Sequence, residues 1–364
     1  IEGAQGFVNG PNSMVENLTM LKNHPKYRFL YLTLIHATRN YCGTHAYAIK
    51  MLKGTNKFKP GGEGLTDLGK ELIDLAYDEE KGKRILIDIK HMSLVSRLDF
   101  YNYRAEQGHH NIPIMATHMG FTGISMKARS ILDTISGKIA RKGDEIMVEY
   151  DRPRGFGEGG NVFNKKKTHF NPWSINLYNE EIPIILNSGG LIGINMDQRI
   201  LGTKPVTGEY FSKEDFNRIL GLRSEDDLSE LEDPQKEFIE EPGPETDVKP
   251  LRVSNAILHV VKQMIIDAEQ QGEDPEAAAE KAWKQVVIGS DFDGLIDPVN
   301  NCIDCTEFGM MEQELPEMMQ EMIEDAQEKA KEDGLELNFF QGDLKERIRD
   351  IMFNNGFAFM KKHF

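Results

Sequence analysis

Three histidines and one aspartate each stand just after a short run of apolar, β-forming residues. The runs and these residues are 29–35 with His36, 85–89 with His91, 112–117 with His118, and 286–289 with Asp291. Glu2 adds a carboxylate at what reads as the end of one more strand. Imidazole and carboxylate groups are ligands that suit Zn²⁺ or a similar divalent ion. The five side chains therefore predict a site for one or two divalent metal ions.

A metal site of this composition can activate water. One carboxylate can bridge two ions, and the bound ions lower the pKa of a water molecule until it becomes a nucleophile at neutral pH. A further carboxylate can take up the proton as a general base. Each residue also has an ordinary structural explanation, since single histidines often pack in the core and Asp291 and Asp293 suit a turn. The prediction depends on the whole set of residues.

The apolar runs also predict how these side chains are positioned. They are continuous rather than alternating, as is a fifth run at 191–195, which is typical of parallel strands buried on both faces. Helix-length segments with an apolar stripe lie between them, such as 66–77, with Thr66 as N-cap, and 254–268. This alternation predicts an α/β fold, and in a parallel barrel all the strand ends converge on one face.

Three segments interrupt the alternation within what we expect to be one domain, residues 1–364. Residues 139–170 are glycine-rich and basic, and they predict a loop insertion near the site. Residues 223–250 are acidic and contain prolines, as exposed linkers do. Residues 307–333 are acidic and methionine-rich, and they predict a helix whose methionines pack in the core or at an interface.

The composition excludes some partners and leaves the compartment open. With 43 basic and 59 acidic side chains the formal charge is −16, so we expect no nucleic-acid partner. No apolar run approaches the roughly 20 residues that span a bilayer. Three cysteines are too few for a disulfide scaffold. Cys302 and Cys305 can form a local disulfide, stay as two inert thiols or, less readily, form a redox or metal pair.

The N-terminus reads as the end of a buried strand. The segment Ile1-Glu2-Gly3 has no start methionine, no basic region and no signal-like apolar core. We therefore expect the full protein to have further residues upstream.

Seven segments, in order along nearly the whole chain, match one known family. They are Ile1-Glu-Gly3, Tyr31-Leu-Thr-Leu-Ile-His36, Gly64-Leu-Thr-Asp-Leu-Gly-Lys-Glu71, Ile87-Asp-Ile-Lys-His-Met-Ser93, Ile114-Met-Ala-Thr-His118, Asn187-Ser-Gly-Gly-Leu-Ile-Gly-Ile-Asn195 and Ile288-Gly-Ser-Asp-Phe-Asp-Gly294. In these segments the chain resembles the renal (membrane) dipeptidases of the amidohydrolase superfamily, which are binuclear zinc (β/α)8 barrels. The resemblance implies a TIM-type barrel of which this chain supplies strands three to eight and lacks the first strands.

The resemblance also implies a role for each candidate residue. Glu2 matches the carboxylate that bridges the two metals, and His91 and His118 match ligands of one metal. Asp291 matches the aspartate that contacts metal and the activated water. His36 matches the histidine that binds substrate and polarises the reacting group, and Asn176 matches the asparagine of an Arg-Asn pair at the substrate.

Two departures from the family pattern bear on function. The family's first strand carries a His-x-Asp pair that completes one metal site, and we expect this pair in the upstream segment. The family's arginine, which holds the carboxylate of the substrate, is replaced by Ile175 in the aligned pair. Arg152, Arg154 or a lysine of 165–167 could take over its role.

The sequence thus predicts a zinc-dependent hydrolase of the dipeptidase type, in which a metal-activated water attacks an amide bond of a small substrate. Two alternatives stay open. One is an amidohydrolase that acts on another small amide or a lactone, which Ile175 favours. The other is an inactive barrel used for binding, which the absent His-x-Asp pair and the acidic insertions favour. A homodimer is one assembly open to such a chain.

Overall fold

The computed structural model describes residues 1–8, 13–48, 56–137, 139–151, 169–202, 208–232, 249–299, 302–332, 340 and 342–364. Its strands are β1 (Tyr31–Thr33), β2 (Leu86–Asp88), β3 (Ile114–Met119), β4 (Ala140–Lys142), β5 (Glu145–Glu149), β6 (Leu191–Ile194), β7 (Gly208–Ser212) and β8 (Val286–Ile288). Its helices are α1 (Met14–Lys22), α2 (Asp67–Tyr77), α3 (Leu94–Glu106), α4 (Ala128–Asp133), α5 (Glu181–Asn187), α6 (Lys213–Leu220), α7 (Glu225–Leu231), α8 (Lys249–Gln271), α9 (Pro275–Gln285), α10 (Phe308–Glu332), α11 (Leu344–Arg349) and α12 (Asn355–His363).

Five strands form one parallel sheet in the order β1-β2-β3-β6-β8. They coincide with the five continuous apolar runs of the sequence, so the predicted α/β fold with a parallel sheet is confirmed. Glu2 pairs with Thr33 in a single parallel bridge at the β1 edge. Closure of these strands into an eight-stranded ring stays a prediction.

A bulge in β3 brings the backbone of this strand close to the end of β8, although β6 lies between the two strands in the sheet. The register between β3 and β6 shifts between Ala116 and Met119. The Thr117 carbonyl oxygen lies so close to Gly193 and Gly289 that a Cβ atom at these glycines would stand 2.0 and 1.8 Å from it. Gly289 follows β8, which is separated from β3 by β6, so the sheet is strongly curved here. Glycine is required at both positions, and a bulge of this kind re-aims the side chains beside it.

The helices cover the sheet as the apolar stripes predict. Thr66 caps α2 through its side-chain oxygen, and α8 contains the predicted segment 254–268. Within the methionine-rich segment 307–333, residues 308–332 form α10, and Met311, Met319 and Met322 are buried in the core. None of the helices in the described ranges is both long and apolar enough to cross a membrane.

The segment 139–170, predicted as a loop, is in part a strand pair, and the prediction is wrong for residues 140–149. β4, β5 and β7 form a small antiparallel sheet. Ile146 and Val148 alternate with partly exposed residues and are fully buried, which is the period of a half-buried strand. Residues 152–168 lie outside the described part of the chain.

Part of the acidic segment 223–250 is helical rather than linker-like. Ser224 and Asp227 form a capping box at the start of α7, and Leu228 is buried. The linker prediction is wrong here because acidic residues in the first turn stabilise a helix through its dipole. The remainder, 233–248, lies outside the described residues.

Glu209 on β7 joins the small sheet to the segment that precedes α5. It is fully buried, and its carboxylate oxygens accept hydrogen bonds from the Ser174 amide at 2.8 and 3.0 Å and from the Ser174 hydroxyl. Burial raises the pKa of Glu209 to about 8, because the charged form loses its hydration. The charge state of this contact therefore depends on pH near neutrality.

Replacing Glu209 with glutamine should flatten the pH dependence of stability. The folded state holds the Glu209 proton up to about pH 8, whereas the unfolded chain releases it near the ordinary value of 4.5, so stability falls as the pH rises through this window. The slope, at most about 1.4 kcal/mol per pH unit for one proton, should be lost in Glu209→Gln. Urea unfolding at several pH values measures it, with the exposed Glu230→Gln as control. Equal slopes in wild type and Glu209→Gln would contradict the assignment.

Candidate metal centre

Four of the predicted side chains meet around one carboxylate oxygen. Glu2 Oε1 lies 3.4 Å from Nε2 of His36, 3.4 Å from Nε2 of His91 and 3.5 Å from Nε2 of His118. The Nε2 atoms of His91 and His118 are 3.4 Å apart. The structure thus brings Glu2 and the three histidines into one group, which we call the cluster.

The ends of the parallel strands position the cluster. Three of the predicted residues stand three positions after the last residue of β1, β2 and β8, respectively: His36, His91 and Asp291. The bridge to Thr33 holds Glu2 beside β1. His118 lies within β3 rather than after it, next to the bulge. The convergence follows from the parallel arrangement, since the carboxyl ends of parallel strands lie at one edge of the sheet.

Asp291 joins the cluster from the β8 side. Its Oδ2 lies 3.9 Å from Nε2 of His118. The Gly294 amide donates a hydrogen bond to the Asp291 carbonyl oxygen at 2.9 Å, as in a turn. The backbone of Asp291 therefore forms the turn, and its side chain joins the cluster.

Two cluster residues have a left-handed backbone. His91 has φ 68° and Asp291 has φ 59°, and within the described ranges no other residue except glycine has a positive φ. This conformation costs an ordinary residue about 1–2 kcal/mol and persists where the surroundings enforce it. Here it occurs at the two turns that follow β2 and β8 and aim side chains into the cluster.

Asp88, which the sequence reasoning missed, lies behind the cluster. Its Oδ2 accepts hydrogen bonds from the hydroxyls of Thr33 at 2.6 Å and Thr117 at 2.7 Å. Its Oδ1 accepts from the backbone amides of Lys90 at 3.2 Å and Thr117 at 3.1 Å. Burial raises the pKa of Asp88, while these four hydrogen bonds favour its charged form. The sequence signal was an aspartate inside the apolar run 85–89.

The protonation states of the cluster suit a cation. Burial lowers the pKa of His91 to about 3 and that of His118 well below its usual range, so both imidazoles are neutral at pH 7. Hydrogen bonds from His36 and His91 lower the pKa of Glu2. Burial raises the pKa of Asp291 to about 6, so it is still mostly ionised at pH 7. Neutral imidazoles and carboxylates are the forms that bind a divalent ion.

The donor set fits an ion of the zinc type. Glu2, His36 and His91 each offer a ligand atom, and these atoms all lie within 4.8 Å of one another. A cation between the carboxylate oxygen of Glu2 and the ring nitrogens would take the place of the ring protons that hydrogen-bond to Glu2 in the metal-free cluster. Nitrogen and carboxylate oxygen are also the donors that zinc prefers. Glu2 and His91 belong to this group, and Nε2 of His118 lies 3.5 Å from Glu2 Oε1 and 3.9 Å from Asp291 Oδ2, so Glu2, His91, His118 and Asp291 could hold the ion.

The cluster opens into a cavity of about 270 Å³. Part of its lining is apolar and includes Ala37, Ala48, Ile175, Ile200, Leu295 and Ile296. Its carboxylates are Glu2, Asp197, Asp291 and Asp293. A cavity of this size and lining suits a small molecule with a polar reacting group and an apolar side chain.

Lys90 and Arg199 bring positive charge to the cavity lining. Arg199 is paired, because its Nε donates to Oδ1 and Oδ2 of Asp197 at 2.9 and 3.1 Å. Lys90 is only 1% exposed, and its Nζ has no hydrogen-bond partner among the described residues. Burial lowers the pKa of Lys90 to about 8, so it is mostly protonated at pH 7. No signal in the sequence predicts a buried lysine here, since this residue is seldom fully buried.

Ile175 lines the cavity, whereas Asn176 does not. The Asn176 side-chain amide donates to the carbonyl oxygens of Asn171 and Ile200, both at 3.0 Å, and the residue is fully buried. The structure therefore does not bring Asn176 to the other site residues. Arg152, Arg154 and residues 165–167, proposed to replace the family's arginine, lie outside the described part of the chain.

A buried ion pair fixes the cavity wall at Ile175. The guanidinium of Arg97 donates to both carboxylate oxygens of Glu181 at 2.6 and 2.8 Å, and neither side chain is exposed. The same guanidinium donates to the carbonyl oxygens of Ser174 at 2.8 Å and Asn176 at 3.2 Å. The segment that carries Ile175 is thereby tied to α3, which begins directly after the His91 turn.

No family model matches the chain, and no curated protein is similar to it. Among solved structures, an amidohydrolase from Pseudomonas aeruginosa has a TM-score of 0.41 at 12% identity over 99% of this chain and 70% of that one. A metallopeptidase from Rhodobacter sphaeroides, solved with a phosphinate mimic of the dipeptide L-Ala-D-Ala, has a TM-score of 0.41 at 15% identity. The metallopeptidase dipeptidase AC has a TM-score of 0.42 at 14% identity.

Each of the two metallopeptidases matches 92% of this chain, which spans 56% and 58% of their lengths. Similarity at this level carries no assignment of substrate.

Removing one imidazole of the cluster should remove the ion. We expect the full-length protein, purified without chelator, to contain about one to two equivalents of zinc or a similar ion. His91→Ala and His118→Ala each delete a ligand and should bind it at least about tenfold more weakly. Mass spectrometry of total metal measures the content, and His110→Ala, at an exposed position, is the control. Equal metal content in His118→Ala and His110→Ala would contradict this site.

Proposed function

We propose that this chain forms a zinc-dependent hydrolase of the dipeptidase type that cleaves an amide bond of a small substrate. The observation that carries the proposal is the meeting of Glu2, His91, His118 and Asp291 at one edge of a parallel sheet. In the proposed fold the sheet closes into a (β/α)8 barrel, in which active sites lie at this edge. The strong curvature at Thr117 supports closure.

The chain's own groups supply proton transfer and charge stabilisation. A bound divalent ion supplies Lewis acidity and lowers the pKa of water. Asp291, with its raised pKa of about 6, is ionised at pH 7 and basic enough to accept the proton of the attacking water and pass it to the leaving amine. His36, the cluster histidine that we do not assign to the ion, lines the cavity and would donate a hydrogen bond to the oxyanion that forms on the substrate carbonyl.

Lys90 is the group that we assign to an anionic end of the substrate. Ile175 has neither charge nor donor, and Arg199 is engaged by Asp197. Lys90 lines the cavity with a buried ammonium group that lacks an acceptor among the described residues. An ammonium group in such a place gains most from an anionic oxygen of a ligand.

A comparison of two substrates tests both parts of the proposal. The full-length protein with zinc should hydrolyse a dipeptide, lose activity with chelator and regain it with added zinc. Lys90→Met should raise KM for the free dipeptide about 30- to 1,000-fold, the effect of losing roughly 2–4 kcal/mol. The C-terminal amide of the same dipeptide, which lacks the carboxylate, is the matched control and should be almost unaffected.

The outcomes separate the alternatives. Equal loss of activity toward acid and amide in Lys90→Met would contradict carboxylate recognition by Lys90. No hydrolysis of any dipeptide by zinc-loaded protein would contradict the dipeptidase assignment. Hydrolysis of other small amides or lactones in that case would support the second candidate function, which the apolar Ile175 wall favours.

A further inference from the structure

A hydrogen-bonded chain connects the cluster to the buried aspartate behind it. The Thr117 hydroxyl lies 2.7 Å from Asp88 Oδ2 and 2.8 Å from Nδ1 of His118. The other ring nitrogen of His118, Nε2, faces Glu2 Oε1 at 3.5 Å. Thr117 therefore stands between a carboxylate and the side of the imidazole that points away from the cluster.

The direction of these hydrogen bonds follows from the number of protons available. A threonine hydroxyl has one proton to donate. If it donates this proton to the Asp88 carboxylate, its oxygen can only accept from His118, so the His118 proton must be on Nδ1. Apart from this hydroxyl, Asp88 accepts hydrogen bonds from the amides of Lys90 and Thr117 and from the hydroxyl of Thr33, and three such donors favour an ionised carboxylate.

We propose that Thr117 is a positioning residue that holds His118 in the tautomer with its proton on Nδ1. Nε2 then presents its lone pair to the cluster, which is the form that a metal ligand needs. The role for the ion rests on the function proposed above, whereas the tautomer does not. The reverse direction would require a proton on Asp88 Oδ2 and would leave the His118 proton on Nε2.

The other residues near Asp88 show that this role is specific to Thr117. Thr33 donates to the same Asp88 oxygen at 2.6 Å, and the structure gives it no contact with a ring nitrogen of the cluster. Nδ1 of His91 is buried and has no hydrogen-bond partner among the described residues, so the left-handed backbone orients that residue instead. Thr33 thus provides a control whose side chain makes the same hydrogen bond to Asp88 and none to a ring nitrogen, while its backbone pairing with Glu2 is kept in the valine variant.

Nuclear magnetic resonance of the metal-free, full-length protein with ¹⁵N-labelled histidine tests the tautomer directly. We expect wild type and Thr33→Val to carry the His118 proton on Nδ1. In Thr117→Val the partner is lost, and the proton should move largely to Nε2, which neutral imidazoles in water prefer. A wild-type His118 with its proton on Nε2 would overturn the proposal.

Competition with a chromophoric chelator then measures zinc affinity in the same variants. Thr117→Val should bind zinc about 10- to 100-fold more weakly than wild type, as expected for loss of a partner that orients a ligand. Thr117→Ser, which keeps the hydroxyl, should restore most of the affinity. Thr33→Val, which removes one hydrogen bond to Asp88 and none to a ring nitrogen, should lower it clearly less than Thr117→Val does. Equal losses in Thr117→Val and Thr33→Val would mean a purely structural role and overturn the proposal. A wild type with the Nδ1 tautomer and no zinc binding would support the role of Thr117 and contradict the proposed hydrolase.

Discussion

The carboxylate of Asp88 fixes the relative position of three adjacent strand ends, and the site depends on it. It accepts hydrogen bonds from Thr33 at the end of β1, from Lys90 after β2 and from Thr117 in β3. Each of these residues adjoins a cluster residue: Thr33 pairs with Glu2, Lys90 precedes His91 and Thr117 precedes His118. Burying a carboxylate costs several kcal/mol unless hydrogen bonds compensate it. Here four hydrogen bonds compensate the burial and set the spacing of the ligands.

Close to Asp88, the chain has a strained backbone and a buried positive charge at positions where a bound ligand would stabilise them. Left-handed backbone occurs at His91 and Asp291, and an ammonium group without an acceptor among the described residues occurs at Lys90. These features reduce the stability of the free protein, which is common at functional sites. The surrounding packing offsets the cost. The buried Arg97–Glu181 pair holds the cavity wall at Ile175 in place, because Arg97 binds the backbone carbonyl oxygens on either side of it.

The sequence was sufficient to predict the parallel strands and the residues at their ends, because continuous apolar runs that end in His36, His91 or Asp291 are local signals. The prediction failed where the sequence signal was weak or depended on residues far apart in the chain. Alternation at Ile146 and Val148 was hidden in a glycine-rich, basic segment. The roles of Asp88 and Lys90 depend on contacts across strands that no spacing reveals, and Asn176 was placed by analogy alone, which could not foresee its bonds to backbone carbonyls.

The location of the bound ion tests the proposed metal centre most directly. Diffraction from crystals of the full-length protein, recorded on both sides of the zinc absorption edge, identifies each zinc atom by its anomalous signal. If the cluster is the metal site, a zinc atom should lie about 2.0–2.2 Å from Nε2 of His91, Nε2 of His118 and a carboxylate oxygen of Glu2. A zinc-loaded crystal with its zinc elsewhere, for example at Cys302 and Cys305, which are free thiols in this structure, and none at the cluster would contradict it.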